Sequence, residues 1–287
     1  MNNDASSQFT RRGFLRLSGV SAGILLLPNE PVLASGPVDP DQGAAMLFDA
    51  TRCVGCRSCE TACKEWNKLP AETTPPTETT ASTWTLIKRF QDDENESFRK
   101  VQCLHCLHPA CVAVCTVGAL RKTKAGPVVY DADKCIGCRY CQYGCPYGVP
   151  KFQWDEALGL IGKCTFCADR LTAGLSPACA EACPTNALTF GTRVDMLKQA
   201  YSRIQQEPDR YINHVYGETE GGGTSVLFLS AIPFEQIGLP KLGPDPVTHG
   251  STTVMNATPT IITVALPLFS GLYWFVKNLS ADKEDSQ

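Results

Sequence analysis

The chain has 287 residues, of which 19% are charged and 43% hydrophobic, and its formal net charge is −3 at pH 7. This composition predicts a globular protein and excludes a disordered one, and the slight acidic excess argues against nucleic acid as a partner. The chain also contains 16 cysteines, which demand a chemical explanation.

The first feature along the chain is a pair of arginines, Arg11 and Arg12, in the sequence TRRGFLR. A short apolar run, residues 19–27, and a small-residue sequence ending at Ala34 follow. This order predicts a twin-arginine signal peptide over residues 1–34, read by the twin-arginine export machinery and cleaved after Ala34. The alternative is a chance pair of arginines before a hydrophobic helix, and the order of the residues that follow the pair favours export.

Beyond this segment the cysteines fall into four groups of four, with none left over. The groups are Cys53, Cys56, Cys59, Cys63; Cys103, Cys106, Cys111, Cys115; Cys135, Cys138, Cys141, Cys145; and Cys164, Cys167, Cys179, Cys183. The first and third groups read C-x2-C-x2-C-x3-C, which is the spacing of bacterial ferredoxins. The second reads C-x2-C-x4-C-x3-C and the fourth C-x2-C-x11-C-x3-C. Because each [4Fe–4S] cluster takes four thiolates, the sequence predicts four such clusters.

Zinc sites and disulfide bridges are both less consistent with this spacing. Zinc sites use C-x2-C pairs but do not require three cysteines in one short loop with a fourth three residues later. A disulfide framework would place strained bridges in the same crowded loops, where Gly55 and Gly137 allow a tight turn. In ferredoxins each group lends its fourth cysteine to a partner group, but the spacing alone leaves open which groups are partners.

The cluster domain is predicted over residues 46–191, as an α+β fold that doubles the bacterial ferredoxin-like dicluster unit. Short strands are predicted at residues 46–48 and 128–130, before the first and third groups, and at residues 187–190, after the fourth. Residues 64–100 are an insertion with two predicted features. Residues 70–83 should form an exposed loop, and residues 91–96 should form an acidic turn.

The region after the cluster domain, residues 192–250, is predicted to be an extension that contacts a partner and then a linker. Residues 193–206 have the pattern of an amphipathic helix, and residues 225–232 that of a strand. Three glycines, residues 221–223, predict a turn, because a phosphate-binding loop would also need a lysine.

The C-terminal region contains an uncharged stretch, residues 257–276, that is about as long as a bilayer-spanning helix must be. Tyr273 and Trp274 lie near its end, where interfacial aromatic residues are expected, and Lys277 follows. The sequence therefore predicts a transmembrane helix, with residues 277–287 as a cytoplasmic tail. The alternative is a buried helix of a soluble protein.

Two histidines and several tyrosines lie beside the cysteines. His105 and His108 fall inside the second group, but with four cysteines present they are expected to pack or hydrogen-bond rather than bind iron. Tyr140 and Tyr143, in the third group, and Tyr147, just after it, are expected to shield clusters from water rather than relay electrons. We find no activated nucleophile and no residues for nickel or molybdenum, so the chain is predicted to be non-catalytic.

The four groups in this order resemble the iron–sulfur β subunits of complex oxidoreductases, such as formate dehydrogenase, dimethyl sulfoxide reductase and polysulfide reductase. The sequences CIGCRYCQYGCPYGVPKF and KCTFCADRLTAGLSPACAEACPTNALTFG carry the resemblance, which spans residues 46–250. In that family the first group pairs with the fourth and the second with the third. The resemblance thus implies the ligand sets Cys53, Cys56, Cys59, Cys183; Cys63, Cys164, Cys167, Cys179; Cys103, Cys106, Cys111, Cys145; and Cys115, Cys135, Cys138, Cys141.

Two subfamilies compete. The twin-arginine signal, the single C-terminal span and the sequence YGETEGGGTSVLFLSAIPFEQIGLPKL are similar to the iron–sulfur subunit of periplasmic [NiFe] hydrogenases of the hydrogenase-2 type. The first group, CRSCETACKEWN, is more similar to formate dehydrogenase β subunits. The resemblance favours hydrogenase.

The function implied is electron transfer through four clusters, between a periplasmic catalytic subunit and a quinone-reactive membrane subunit. The protein would lie on the periplasmic face of the bacterial inner membrane, held by one C-terminal helix. A standalone polyferredoxin carrier is the alternative from another class, although a diffusible carrier needs no anchor. An enzyme with its own substrate would need a cofactor pocket that the sequence does not reveal.

Overall fold

A computed structural model describes residues 42–71, 76–92, 95–156 and 159–284. The signal peptide predicted for residues 1–34, with Arg11 and Arg12, lies outside these residues. The chain divides into two units, which are described separately: one extends to Gly250, and the other contains the C-terminal residues from Ser251 onward. All 16 cysteines belong to the first unit.

The strands are β1 (Ala44–Asp49), β2 (Leu86–Asp92), β3 (Asn95–Val101), β4 (Leu120–Lys122), β5 (Val128–Tyr130), β6 (Lys151–Phe152), β7 (Ile161–Gly162), β8 (Leu188–Thr192) and β9 (Val226–Leu229). The helices are α1 (Ser58–Asn67), α2 (Ala110–Ala113), α3 (Tyr140–Gly144), α4 (Ala168–Thr172), α5 (Ala178–Glu181), α6 (Arg193–Gln206) and α7 (His249–Glu284), with 3-10 turns at Ala132–Lys134 and Glu220–Gly222. Mixed helices and short strands agree with the predicted α+β class. The strands predicted at residues 46–48, 128–130, 187–190 and 225–232 and the helix predicted at residues 193–206 are confirmed, although β9 is shorter than predicted.

The central sheet has β1 in the middle, antiparallel to β8 and parallel to β9. Leu47 lies opposite Thr189 on one side and opposite Leu227 on the other. Because β9 belongs to the extension, residues 192–250 contribute a strand to this central sheet. β1 thereby lies between two strands, β8 and β9, that follow it in the sequence.

The two faces of this sheet pack against different layers. Side chains alternate along a strand, so Met46 and Phe48 face the cysteine groups, in a core that also contains Phe228. Leu47 and Leu227 face the other way, against α6. The sheet therefore separates the cysteine groups from α6.

A buried ion pair fixes α6 to the end of β1. The carboxylate of Asp49, which is fully buried, accepts a hydrogen bond of 2.8 Å from Arg203 of α6 and one of 2.9 Å from the Tyr211 hydroxyl. Thr51 donates two more, from its backbone N–H and its hydroxyl. Both carboxylate oxygens of Asp49 thus accept hydrogen bonds, as a buried carboxylate requires.

The insertion is more ordered than predicted. β2 and β3 form an antiparallel hairpin. Of the acidic turn predicted at residues 91–96, residues 91–92 and 95–96 belong to the two strands, and residues 93–94 lie outside the described residues. The exposed loop predicted at residues 70–83 is wrong in part, because Thr79 and Thr83 are buried. A close approach accounts for this burial: a Cβ on Gly162 would lie 1.9 Å from the carbonyl oxygen of Ala81.

The three glycines at residues 221–223 form the predicted turn. Their φ values are 61°, 84° and 87°, a left-handed run that glycine adopts without strain. The buried guanidinium of Arg193 donates to the carbonyl oxygens of Gly217, Glu218 and Thr224 on either side of the turn. The extension therefore returns to the sheet through a turn held by α6.

The second unit contains α7, which includes the helix predicted at residues 257–276. Residues 249–274 are long and apolar enough to cross a membrane, with a mean hydropathy of 1.3, and none of the most apolar window is buried by protein. Pro259 and Pro267 lie inside the helix. The transmembrane orientation and the cytoplasmic tail at residues 277–287 stay predictions.

Candidate iron–sulfur sites

The four cysteine groups begin with the same backbone turn. In each, the residue just before the second cysteine has a left-handed conformation: Gly55, His105, Gly137 and Phe166, with φ of 69°, 47°, 68° and 60°. Glycine adopts this conformation freely, whereas other residues lose roughly 1–2 kcal/mol. The second and fourth groups adopt the left-handed turn with a residue other than glycine in spite of this cost. This indicates that the arrangement of the cysteines requires the turn.

The third and fourth cysteines of each group are four residues apart, and short helices carry them. In α1, Cys59 and Cys63 lie one helical turn apart and are both buried. The other groups use the single-turn helices α2, α3 and α5, which contain the third cysteine of their groups. Because the fourth cysteine follows the third by about one helical turn, its side chain lies away from the loop that holds the first two cysteines of the group.

Three cavities are each lined by three cysteines of one group and one of another. Site 1 contains Cys53, Cys56, Cys59 and Cys183. Site 2 contains Cys63, Cys164, Cys167 and Cys179. Site 4 contains Cys115, Cys135, Cys138 and Cys141. These are three of the four sets that the family resemblance implies.

The remaining set, called site 3, also comes together. Burial raises the pKa of the Cys106 thiol well above its usual value, and the neighbouring Cys103, Cys145 and Cys111 raise it further. Only groups close in space act on one another in this way. Cys103, Cys106, Cys111 and Cys145 therefore lie near one another, and Cys103 and Cys145 also share an apolar cluster.

The thiols suit a bound group larger than a single ion. All 16 cysteines are free thiols. In sites 1, 2 and 4 the four cysteines line a cavity together, an arrangement that suits a group with several iron atoms. Burial raises the pKa of Cys59 and Cys63 to about 12, so iron binding would have to displace their protons. The residues fit clusters better than zinc.

The four sites follow one another in space. Cys179 of site 2 acts electrostatically on Cys59 of site 1. Cys103 of site 3 acts on Cys164 of site 2, and the two share an apolar cluster. Cys141 of site 4 acts on Cys111 of site 3, again within one cluster. The contacts give the linear order 1, 2, 3, 4.

The two ends of this series reach the surface. Cys56 of site 1 and Cys138 of site 4 are the exposed cysteines, whereas all four cysteines of site 2 are buried. Val54 and Ile136, which occupy equivalent positions in the first and third groups, are 62% and 66% exposed. A donor or acceptor could therefore approach sites 1 and 4 most closely.

Three buried lysines lie among the sites, and the sequence did not predict them. Lys100, Lys122 and Lys163 are 1%, 4% and 3% exposed. Burial lowers the pKa of Lys122 to about 8, against the raising effect of Cys106 and other site 3 thiols. Lys163 donates to the carbonyl oxygens of Val128 and Cys164. No local sequence signal marks these lysines as buried, because lysine in a short strand normally lies at the surface.

The prediction for His105 is confirmed, and the prediction for the tyrosines is confirmed only in part. His105 is fully buried and its Nδ1 accepts a hydrogen bond of 2.9 Å from the N–H of Val128, which confirms a packing and hydrogen-bonding role. Tyr147 packs against the apolar cluster of Cys103, Val149 and Cys164, in keeping with the prediction. Tyr140 and Tyr143 are 57% and 78% exposed, so the prediction that they shield a cluster from water is wrong. Both project from the short helix α3 at the surface.

Comparison with known proteins agrees with this geometry. The 4Fe-4S dicluster domain family matches residues 95–193. A protein of Nitratidesulfovibrio vulgaris is 41% identical over 286 residues, covering 93% of this chain and 77% of its own. The hydrogenase-2 operon protein HybA of Escherichia coli O157:H7 is 34% identical, covering 96% of this chain and 97% of its own.

The nitrate-inducible formate dehydrogenase iron–sulfur subunit of Escherichia coli K12 is 32% identical over 259 residues, covering 84% of this chain and 86% of its own. Both matches extend well beyond the cysteine groups. The chain belongs to the family of iron–sulfur electron-transfer subunits that includes HybA and the formate dehydrogenase iron–sulfur subunits.

Proposed function

We propose that this subunit conducts electrons through four [4Fe–4S] clusters, one at each of sites 1 to 4. The ligands are Cys53, Cys56, Cys59, Cys183; Cys63, Cys164, Cys167, Cys179; Cys103, Cys106, Cys111, Cys145; and Cys115, Cys135, Cys138, Cys141. Each bound cluster supplies one-electron redox chemistry. The observation that carries the proposal is the series of four cysteine sites, three of which enclose a cavity, with exposed cysteines only in sites 1 and 4 among the described residues.

The chain itself holds the clusters apart from water and from one another. Buried side chains such as Phe166 and Leu104 pack between the cysteine groups. Burial and the lysines near sites 1, 2 and 3 tune how readily each site accepts an electron. The subunit makes and breaks no bond of a substrate, so it is a non-catalytic part of an oxidoreductase complex.

The partners proposed are a periplasmic catalytic subunit at one end of the series and a quinone-reactive membrane subunit at the other. A [NiFe] uptake hydrogenase is favoured as the catalytic partner, because the match to HybA covers nearly the whole of both chains. A membrane-bound formate dehydrogenase or a related molybdoenzyme is the alternative, supported by the 32% identity to its iron–sulfur subunit.

The experiment is to isolate the native membrane complex and expose it separately to hydrogen and to formate, with EPR of the clusters as the measurement. Reduction by hydrogen supports the hydrogenase assignment. Reduction by formate alone moves the subunit to a formate dehydrogenase. Reduction by neither, in a complex whose clusters dithionite does reduce, overturns both and indicates a reductase supplied by the quinone pool.

The single membrane anchor is proposed from α7, whose residues 249–274 are apolar and exposed. A carbonate wash of isolated membranes should leave the subunit in the membrane fraction. A version that ends at residue 248 should be released. Release of the full chain by the same wash would instead support the standalone carrier.

Export by the twin-arginine route is proposed from Arg11 and Arg12, and it places the cluster domain in the periplasm. This route would also protect the clusters, since bare thiols outside the cytoplasm would oxidise. Replacing both arginines with lysine should leave the subunit in the cytoplasm, measured by fractionation and immunoblot. Normal export of that variant would overturn the assignment.

A further inference from the structure

Lys100 lies at the junction of sites 1 and 2. It belongs to β3 and is 1% exposed, which makes it one of the most deeply buried charged side chains described. Its side chain lines the site 2 cavity together with all four cysteines of that site. A buried ammonium group is costly unless a counter-charge compensates it.

The hydrogen-bond partner of Lys100 is neutral. Its Nζ donates to the Oε1 of Gln102, which is itself buried, and the amide nitrogen of Gln102 lies 3.6 Å from the Sδ of Met46 in β1. The amide orients the ammonium group but does not neutralise its charge. The counter-charge must therefore come from elsewhere.

The thiolates of two sites supply it. Burial lowers the pKa of Lys100, but Cys179, Cys59, Cys164 and Cys63 act in the opposite direction and the net pKa is raised. Of these, Cys59 belongs to site 1 and the other three to site 2. In return, Lys100 lowers the pKa of both Cys59 and Cys63, as the largest effect after burial. Lys100 also lies directly opposite Ile87 of β2, and Ile87 lines the site 1 cavity. One cation thus lies beside both sites.

We propose that Lys100 is a shared counter-cation for the clusters at sites 1 and 2, which favours the reduced form of both and so raises both midpoint potentials. The proposal rests on the function proposed above and adds a residue that sets the potentials of two of its sites. In the step it assists, one electron leaves one of these clusters and enters the other, in either direction. All the cysteine ligands stay bound and Lys100 keeps its proton.

Charge substitution separates this role from a purely structural one. The full-length subunit is purified in its complex, and the midpoint potentials of its clusters are measured by EPR redox titration. Lys100→Met removes the charge with little loss of volume, and it should shift two clusters to lower potential while leaving the other two unchanged. Lys100→Arg keeps the charge and should leave all potentials near those of the wild type.

A matched control is Lys124→Met, which removes an exposed lysine from the turn between β4 and β5. It should shift none of the potentials. Unchanged potentials in Lys100→Met with full iron content would overturn the proposal. So would a shift of a single cluster, or an equal shift in Lys100→Arg.

A second variant covers the case in which Lys100→Met fails to assemble. Gln102→Glu is isosteric, keeps the lysine and places a negative charge beside it. It should lower the potentials of the same two clusters, and an unchanged titration would contradict the proposal. The iron content of the wild-type subunit tests the proposed function separately, because fewer than four clusters would undermine that function whatever the Lys100 variants show.

Discussion

The rings of His105 and Phe166 lie edge to face, with centroids 4.7 Å apart and planes inclined by 68°. Each is the left-handed residue of its cysteine turn, in the second and fourth groups respectively. The contact therefore connects the turn of site 3 with the turn of site 2. The first and third groups have glycine at this position. In the second and fourth groups the residue has an aromatic ring, and the contact between the two rings packs site 3 against site 2.

Removal of the Phe166 ring should destabilise the packing between sites 2 and 3. Phe166→Ala should reduce stability by about 3–5 kcal/mol, because a fully buried aromatic ring leaves a cavity. The measurement is the midpoint of anaerobic thermal unfolding together with the magnetic interaction between clusters in EPR. Leu160→Ala, at an exposed position, serves as the control and should change neither. An unchanged midpoint in Phe166→Ala would show that the contact is not stabilising.

Serine variants test which cysteines share a cluster. Cys56→Ser and Cys183→Ser should each diminish the same EPR signal, since both residues line site 1. Cys63→Ser should diminish a different signal, because its side chain lines site 2 although it belongs to the same group as Cys56. If Cys56→Ser and Cys63→Ser affected one signal and Cys183→Ser another, the crossed arrangement would be refuted.

Two glycines with similar backbone angles separate strain from steric conflict. Gly55 and Gly118 have φ of 69° and 64°, but a Cβ on Gly55 would lie 2.5 Å from the Phe98 ring, whereas a Cβ on Gly118 would have no neighbour within 4 Å. Both alanine variants should lose about 1 kcal/mol to backbone strain. Gly55→Ala should lose roughly 1–3 kcal/mol more from overpacking.

The readout is again the midpoint of anaerobic thermal unfolding, with iron content as a second measurement. The double variant Gly55→Ala with Phe98→Leu should recover part of the additional loss. Equal midpoints for Gly55→Ala and Gly118→Ala would show that the Phe98 ring moves aside without cost.

The ion pair between Asp49 and Arg203 should be a strong determinant of stability. Arg203→Met should lower the free energy of unfolding by about 3 kcal/mol, because the buried Asp49 carboxylate would keep only the partly exposed Arg52, 3.4 Å away, as a cationic partner. Glu207→Gln breaks the exposed pair with Arg210 on the same side of the molecule and should cost less than about 1 kcal/mol. Denaturant titration measures both variants.

The double variant Asp49→Asn with Arg203→Met distinguishes a lost pair from lost packing. It should be more stable than Arg203→Met alone, because an amide can be buried at smaller cost than an unpaired charge. Equal stability of the two would assign the loss to the apolar part of the arginine side chain.

Sequence reasoning succeeded where the signal was local. The helix predicted at residues 193–206 coincides with α6, because amphipathic periodicity lies within one stretch of chain. The structure adds an N-cap, Thr192, whose hydroxyl oxygen accepts from the N–H of Asp195. The strand at residues 128–130 was equally clear. The cysteine spacing is likewise a local pattern, and it was enough to predict cysteine sites before any tertiary contact was known.

The features that were missed depend on residues distant in sequence. The parallel pairing of β1 with β9 follows from packing across the whole unit, and neither strand carries a sign of its partner. Lys100 would be assigned to the surface by its chemical type, and only the approach of Cys59 and Cys179 from two other segments explains its burial. The hairpin of β2 and β3 was hidden because its strands carry several charged residues.

The enclosed position of β1 sets an order for biosynthesis. The strand emerges early from the ribosome, yet its two neighbours, β8 and β9, are made only near the end of the globular unit. Site 1 also combines Cys53 with Cys183. Under the proposed ligand set, the first cluster therefore lacks one of its four thiols until residue 183 has been made. A truncated nascent chain would have neither a finished sheet nor a complete first site.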